Sequence, residues 1–265
     1  MNIKSFNLRS ATLKVLVGTL IAVILIFAGS FIYYGNLNSA EDPRVLEAKH
    51  LQLKYEKELE SDQYGEAMIL LNRMRAIYES VPGYENSPEI GVILNNQASV
   101  YLVKLETDLL TLEDSEIDRE GMLKTLAIAR ELTEDAIRLY EQWLKEMGTL
   151  SVAEIRERTT PFFKSDDKAF KGLDFSKIFE KRVEDIVAAQ LETDRRLSVS
   201  YTNLGVINRY SGKLEEAKAN YENAIRLWER NYAAVDNLNT LMELPRGKRS
   251  MIDRIFPPER LQELQ

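Results

Sequence analysis

The side chains that most often perform enzyme chemistry are scarce or poorly spaced in this sequence. There is one histidine, His50, which lies between Lys49 and Lys54 in a charged stretch, and there is no cysteine. A single imidazole cannot build a metal site, and without thiols neither disulfides nor a cysteine nucleophile is possible. None of the 12 glycines stands in a G-x-G-x-x-G or G-x-x-x-x-G-K-[ST] arrangement. No phosphate-binding loop is therefore indicated.

Alternating acids before Gly121 are the nearest approach to a metal site. They are Asp114, Glu116, Asp118 and Glu120. A calcium loop of the EF-hand type needs glycine at its sixth position and a bidentate carboxylate at its twelfth, but Arg119 and Thr125 stand there. We expect a solvated acidic loop, no metal, no cofactor, no catalytic residue and no small-molecule substrate. An enzyme on a helical scaffold remains a remote alternative.

A segment rich in phenylalanine and lysine stands out from its surroundings. Between Thr160 and Arg182 there are five phenylalanines and six basic residues. Phe162, Phe163 and Phe170 are candidates for contact with a partner or a lipid surface. The alternative is that these rings pack beneath a loop.

Charge is distributed unevenly along the chain. Residues 1–40 contain Lys4, Arg9 and Lys14 and no acid, so their net charge is +3; the remaining 32 basic and 42 acidic residues give −10. An acidic body repels nucleic-acid phosphates. No nucleic-acid partner is expected.

The uncharged run Val15–Tyr34 predicts a transmembrane helix. Its 20 residues would extend about 30 Å as a helix, which matches the hydrocarbon core of a bilayer. The basic residues before it place the N-terminal tail, 1–14, in the cytoplasm and the following body in the periplasm, across the inner membrane. A cleaved signal peptide is the alternative, although this apolar run is longer than such peptides have. A mitochondrial protein anchored in the same way is also compatible with the sequence.

The rest of the chain predicts an all-α fold. Apolar residues recur at intervals of three and four, and no proline interrupts residues 89–160 or 162–244. We divide it into a helical part at 41–150, an insertion at 151–185 and a C-terminal part at 186–265, whose last stretch from Phe256 could start a capping helix.

Internal similarity suggests repeats. The stretch Ser61–Ala67 resembles Ser211–Ala217, and Asn203 and Asn237 are 34 residues apart. With this period, residues 198–243 resemble the tetratricopeptide repeat family; residues 41–150 match it weakly. The positions that match the family pattern are Tyr201, Leu204, Gly205, Gly212, Ala217, Tyr221 and Ala224. The chain departs from the pattern at Asn208 and Glu229.

The resemblance implies how the helices pack and where a partner would bind. In that family each repeat is a pair of antiparallel helices, small residues such as Gly205 and Ala217 allow close approach, and Leu204 and Tyr221 fill the gap. The first helices line a groove, where an asparagine holds a peptide backbone because its amide both donates and accepts hydrogen bonds. By this resemblance the groove residues are Asn203, Arg209, Tyr210, Asn237 and Asn96. These asparagines could instead bond only within their own helix turns.

Taken together, these features predict a single-pass membrane protein whose extracytoplasmic helical-repeat domain is a scaffold for a cell-envelope complex. Translocation, assembly and flagellar-motor accessories are examples of such complexes. Its partners would be proteins, with the bilayer contacted by residues 15–34. A membrane-tethered chaperone that holds unfolded clients is the alternative.

Overall fold

The computed structural model describes residues 40–111 and 118–245. In these ranges the chain is helical and contains no strand, so the all-α prediction is confirmed there. The helices are α1 (Leu46–Glu60), α2 (Tyr64–Ser80), α3 (Pro88–Thr111), α4 (Arg119–Met147), α5 (Val152–Thr159), α6 (Phe175–Tyr210), α7 (Leu214–Leu227) and α8 (Tyr232–Leu241), with 3₁₀ turns at Thr160–Phe162 and Lys168–Phe170.

Several helix starts are fixed by side chains that accept hydrogen bonds from the first turn. Ser151 and Glu154 form the reciprocal capping box that their spacing predicts. Asp118, Asp174 and Asn231 cap α4, α6 and α8 without a reciprocal bond, because one side-chain oxygen of each accepts a backbone N–H of the first turn. These helix starts are therefore specified by residues within one helical turn of each other.

Helices that are neighbours in sequence are mostly neighbours in space. α1 packs on α2, α3 on α4 and α6 on α7, and these three hairpins meet through α2 with α3 and α4 with α6. α3 also contacts α6, and α8 contacts both α7 and α6.

The closest approach within α6/α7 is at Gly205. A Cβ atom placed there would lie 2.4 Å from Cε1 of Tyr221, whose side chain is fully buried. Ala217 and Ala224, which flank Tyr221 on α7, are also fully buried, whereas Leu204 and Tyr201 are half-buried. The hairpin α3/α4 has a matching contact, because a Cβ on Gly91 would lie 2.5 Å from Cε1 of Tyr140. Glycine thus makes room for a tyrosine ring in both hairpins.

The turns that the sequence comparison paired have the same backbone conformation. Asp62 and Gly212 occupy equivalent positions, with φ of 56° and 73°. The next residue in each turn donates its N–H back to the same relative carbonyl, Gln63 to Glu58 and Lys213 to Asn208, both at 2.9 Å. The similar sequences Ser61–Ala67 and Ser211–Ala217 therefore form turns with the same backbone conformation and hydrogen bond.

The segment 151–185 contains α5, both 3₁₀ turns and the start of α6. α6 runs without a break through residue 185, where the sequence analysis placed a boundary. Phe163, Phe170 and Ile178 belong to the same apolar core as Val45 and Leu71.

Some predictions concern residues outside the described ranges. They are the tail at 1–14, the transmembrane helix at 15–34, and the part of 186–265 beyond residue 245, including the cap from Phe256. Among residues 40–111 and 118–245, no helix has the length and apolar character needed to cross a bilayer.

Candidate functional site

Four of the residues predicted to bind a partner lie along the contacts of α3, α6 and α8. Asn203, Arg209 and Tyr210 are on α6 and Asn237 is on α8. Hydrogen bonds connect them to residues of the neighbouring helices. We call the surface formed by these residues and the exposed side of α3 the polar face.

Asn203 joins α6 to α3. Its side-chain Nδ2 donates to Asn95 Oδ1 and to Ser99 Oγ, both at 3.0 Å. Both amide protons are therefore used within the protein. Its Oδ1 accepts no hydrogen bond from the residues that the structure describes, so it is the atom of this side chain that can accept one from a partner.

Arg209 and Tyr210 converge on Glu106 of α3, and Arg209 also bonds to Asn237 of α8. The Tyr210 hydroxyl donates to Glu106 Oε1 at 3.1 Å, and Arg209 Nη2 lies 3.7 Å from the same oxygen. Arg209 Nη1 donates to Asn237 Oδ1 at 3.1 Å. Burial, followed by the charge of Glu106, raises the pKa of Tyr210, so this hydroxyl is a donor at neutral pH. This cluster links three helices.

The exposed side of α3 adds apolar groups to the polar face. Ser99 and Glu106 bond to α6, and Val103 lies between them at the three- and four-residue spacing that puts side chains on one side of a helix. Leu110, one turn further on, is 86% exposed. The predicted residue Asn96 is half-buried, one residue from the Asn95 that contacts Asn203.

Sequence reasoning missed Asn95, Ser99 and Glu106. Their helical spacing was visible, but which side of α3 meets α6 depends on contacts 104 to 108 residues apart along the chain. No local signal specifies that pairing.

Four of the five phenylalanine rings in the phenylalanine-rich segment are buried or half-buried. Phe163 and Phe170 are buried, with ring centroids 6.0 Å apart, and the guanidinium of Arg44 lies 4.3 Å from the first ring and 5.0 Å from the second. Of the three predicted contact residues, only Phe162 is exposed, at 44%. The rings of Phe163 and Phe170 thus pack beneath the segment, as the alternative interpretation had it.

A cavity of about 290 Å³ opens beside Phe162. Trp143, Met147 and Ile186 form much of its apolar wall, and Arg182 closes one side. Arg182 donates to Glu89 at 2.6 Å and lies 3.9 Å above the Tyr84 ring. The two charges of this pair largely cancel.

The pH dependence of this ion pair has a definite sign. Burial is the largest single influence and alone would raise the pKa of Glu89, but the positive charge of Arg182 and the hydrogen bonds that the carboxylate accepts together outweigh it and hold that pKa below its usual value. The pair therefore stabilises the fold above the carboxyl pKa of the unfolded chain, and this contribution is lost as the pH falls through the folded pKa. Its placement is that of a structural ion pair.

Among the described residues, no three or more histidine or acidic side chains are grouped as metal ligands would be. Comparison of the chain with models of protein families, with curated proteins and with solved structures gave no match.

Proposed function

We propose that this protein is a single-pass membrane protein whose helical body is a protein-interaction scaffold in a cell-envelope assembly. The membrane part of the proposal rests on the uncharged run Val15–Tyr34 and the basic residues before it. In this proposal the N-terminus lies in the cytoplasm and the body lies on the periplasmic side. In bacteria the membrane that is spanned is the inner membrane.

The body is proposed to be a stack of repeats related to the tetratricopeptide family. The three hairpins α1/α2, α3/α4 and α6/α7, with α8 as the first helix of a further one, supply the three or more units that such a stack needs. The contacts of α3 with α6 and of α6 with α8 support it, because first helices line one side of a stack.

The observation that carries the proposed function is the polar face. Asn203, Arg209, Tyr210 and Asn237 lie on adjoining first helices, and beside them Val103 and Leu110 are exposed. Hydrogen-bonding groups surrounding apolar side chains are typical of surfaces that recognise a polypeptide. Arg209 and Glu106 carry opposite charges, so a partner segment with apolar and uncharged polar side chains fits best.

Co-purification from native membranes tests this proposal. The variants Val103→Asp and Leu110→Asp place a charge on the polar face at exposed positions, so the fold should persist while bound partners are lost. Ile69→Asp is the matched control, because the exposure of Ile69, 59%, lies between those of Val103 and Leu110, and Ile69 is on α2 rather than on α3, α6 or α8. Retention of the same partners by the Val103 and Leu110 variants would refute a role for the polar face.

A transient chaperone is the second candidate, favoured by the exposure of Leu110, since unfolded clients are held through apolar contacts. The same purification separates the two functions. A scaffold retains a fixed set of partners, whereas a chaperone retains a scattered set of clients that grows when unfolded protein accumulates.

A further inference from the structure

We propose that the surface around Phe162 contacts the headgroup layer of the bilayer, so that the helical body lies directly against the membrane surface. We call this surface the basal face and define it by Arg44, Pro161, Phe162, Lys164 and Lys168, which line one open hollow. The inference rests on the proposed membrane span at residues 15–34.

The first argument is that the chain entering the body is fixed to the basal face. Asp42 accepts hydrogen bonds from the Arg44 backbone N–H at 2.9 Å and from its Nη2 at 2.7 Å, and from the Tyr84 hydroxyl at 3.2 Å. Arg44 Nη1 in turn donates to the carbonyl oxygen of Phe162 at 2.9 Å. Val45, the next residue, is fully buried. Residues 42–45 therefore cannot swing away from Phe162 without breaking these contacts.

The second argument is the short reach of the intervening chain. Only residues 35–39 separate Tyr34, the end of the proposed span, from Ala40. Six Cα–Cα steps extend at most about 20 Å. Since Asp42 is two residues beyond Ala40, the contacts that fix the basal face lie no more than about 28 Å from the end of the proposed span, which keeps this face within reach of the lipid headgroups.

The third argument is the chemistry of the basal face. Phe162 is 44% exposed and can enter the interface, and Lys164 and Lys168 form no ion pair with the described residues. Their ammonium groups suit lipid phosphates, while their alkyl stems can lie along apolar surface. Asp166 and Asp167 line the same hollow, so charges of both signs face a headgroup that itself has both. A zwitterionic phospholipid is therefore the class of lipid that fits.

The chain has no cysteine, which allows single labels to be placed in the full-length protein. Phe162→Cys and Lys168→Cys report on the basal face, and Leu110→Cys is a control near the end of α3. α3 begins at Pro88, beside the loop whose Gly83 touches Phe162. Leu110 is 22 residues further on, about 33 Å along the helix axis. Ile24→Cys reports on the proposed span.

Each variant is labelled with a fluorophore and placed in phosphatidylcholine nanodiscs that contain nitroxide lipids, with circular dichroism to confirm folding. We expect a headgroup nitroxide to remove most of the fluorescence at positions 162 and 168 and little at 110, and an acyl-chain nitroxide to remove it at 24. Adding phosphatidylglycerol should change the result little, because the basal face carries both signs of charge.

Two results would overturn the inference in different ways. Quenching at 24 without quenching at 162 and 168 would leave the span in place and remove the basal contact. Absence of quenching at 24 would remove the proposed span and, with it, the reach argument. Two labelled positions on the basal face keep the test decisive if Phe162→Cys alone perturbs the fold.

Discussion

The hairpins α1/α2 and α6/α7 share one turn but distribute their large side chains differently. Aligned on Ser61 and Ser211, Tyr55 corresponds to Gly205 and Leu71 to Tyr221. All four residues are buried. In α6/α7 the ring comes from the second helix and the first helix has only a hydrogen at that point. In α1/α2 the ring comes from the first helix. An aromatic ring between two helices can thus be supplied from either side.

The largest effect is expected when the arrangement of α1/α2 is imposed on α6/α7. Gly205→Tyr places two rings in space for one, and we expect a loss of about 3 kcal/mol or more in the free energy of unfolding, at the upper end for overpacking. Adding Tyr221→Leu should recover part of the loss, because it reproduces the Tyr55–Leu71 pair. Urea denaturation of the single and double variants measures this coupling. Additive losses would show that the two sites do not share one gap.

A smaller steric change should act in the same direction. Gly205→Ala brings a methyl group against the Tyr221 ring and is expected to cost about 1–3 kcal/mol, partly offset by about 1 kcal/mol of helix propensity. In a Tyr221→Leu background the steric cost should vanish. Thermal unfolding of the unsubstituted protein, the Gly205→Ala and Tyr221→Leu variants and the double variant tests this. Equal effects of Gly205→Ala in both backgrounds would contradict the assigned contact.

The shared turn can be tested at its left-handed residue. Gly212→Ala should lose about 1–2 kcal/mol because a Cβ atom disfavours positive φ. Gly212→Asp should lose less, since Asp62 adopts the same conformation in α1/α2 and a short polar side chain tolerates it. The measurement is the order of the urea denaturation midpoints of the unsubstituted protein, the Gly212→Asp variant and the Gly212→Ala variant. An aspartate variant no more stable than the alanine variant would indicate that Asp62 is tolerated only through its own surroundings.

The smallest effect should be at Gly65, the α2 position that corresponds to Glu215 in α7. A Cβ there meets no atom within 4 Å. Gly65→Ala is therefore expected to stabilise by up to about 1 kcal/mol through helix propensity. It also serves as the control for Gly205→Ala, since the effect of a glycine-to-alanine substitution on the free energy of unfolding changes sign with the space available. A loss of stability measured by urea denaturation would contradict this.

Local signals predicted what depends on local physics. The capping box at Ser151 and the helical character of the body both follow from residues within one or two turns of each other. Glycine often marks a turn, but Gly121 lies inside α4, because Asp118 caps this helix and accepts the N–H of Gly121.

Long-range pairing explains most of what the sequence did not predict. Asn203 was identified as a partner-binding residue, yet its donors are used by Asn95 and Ser99, which become neighbours only when α3 meets α6. Phe163 and Phe170 looked like surface groups because Arg44, more than a hundred residues earlier in the chain, completes their packing. Gly91 was overlooked because its partner Tyr140 lies in another helix at the far end of a long hairpin.

The length of α6 also fixes a distance. This one helix begins at Phe175, among the buried rings behind the basal face, and reaches Asn203 on the polar face 28 residues later, a separation of about 40 Å. A continuous helix of this kind neither stretches nor folds back. A partner bound at Asn203 would therefore lie about 40 Å from the rings at the start of α6, and a partner that touched both ends of this helix would have to span that distance.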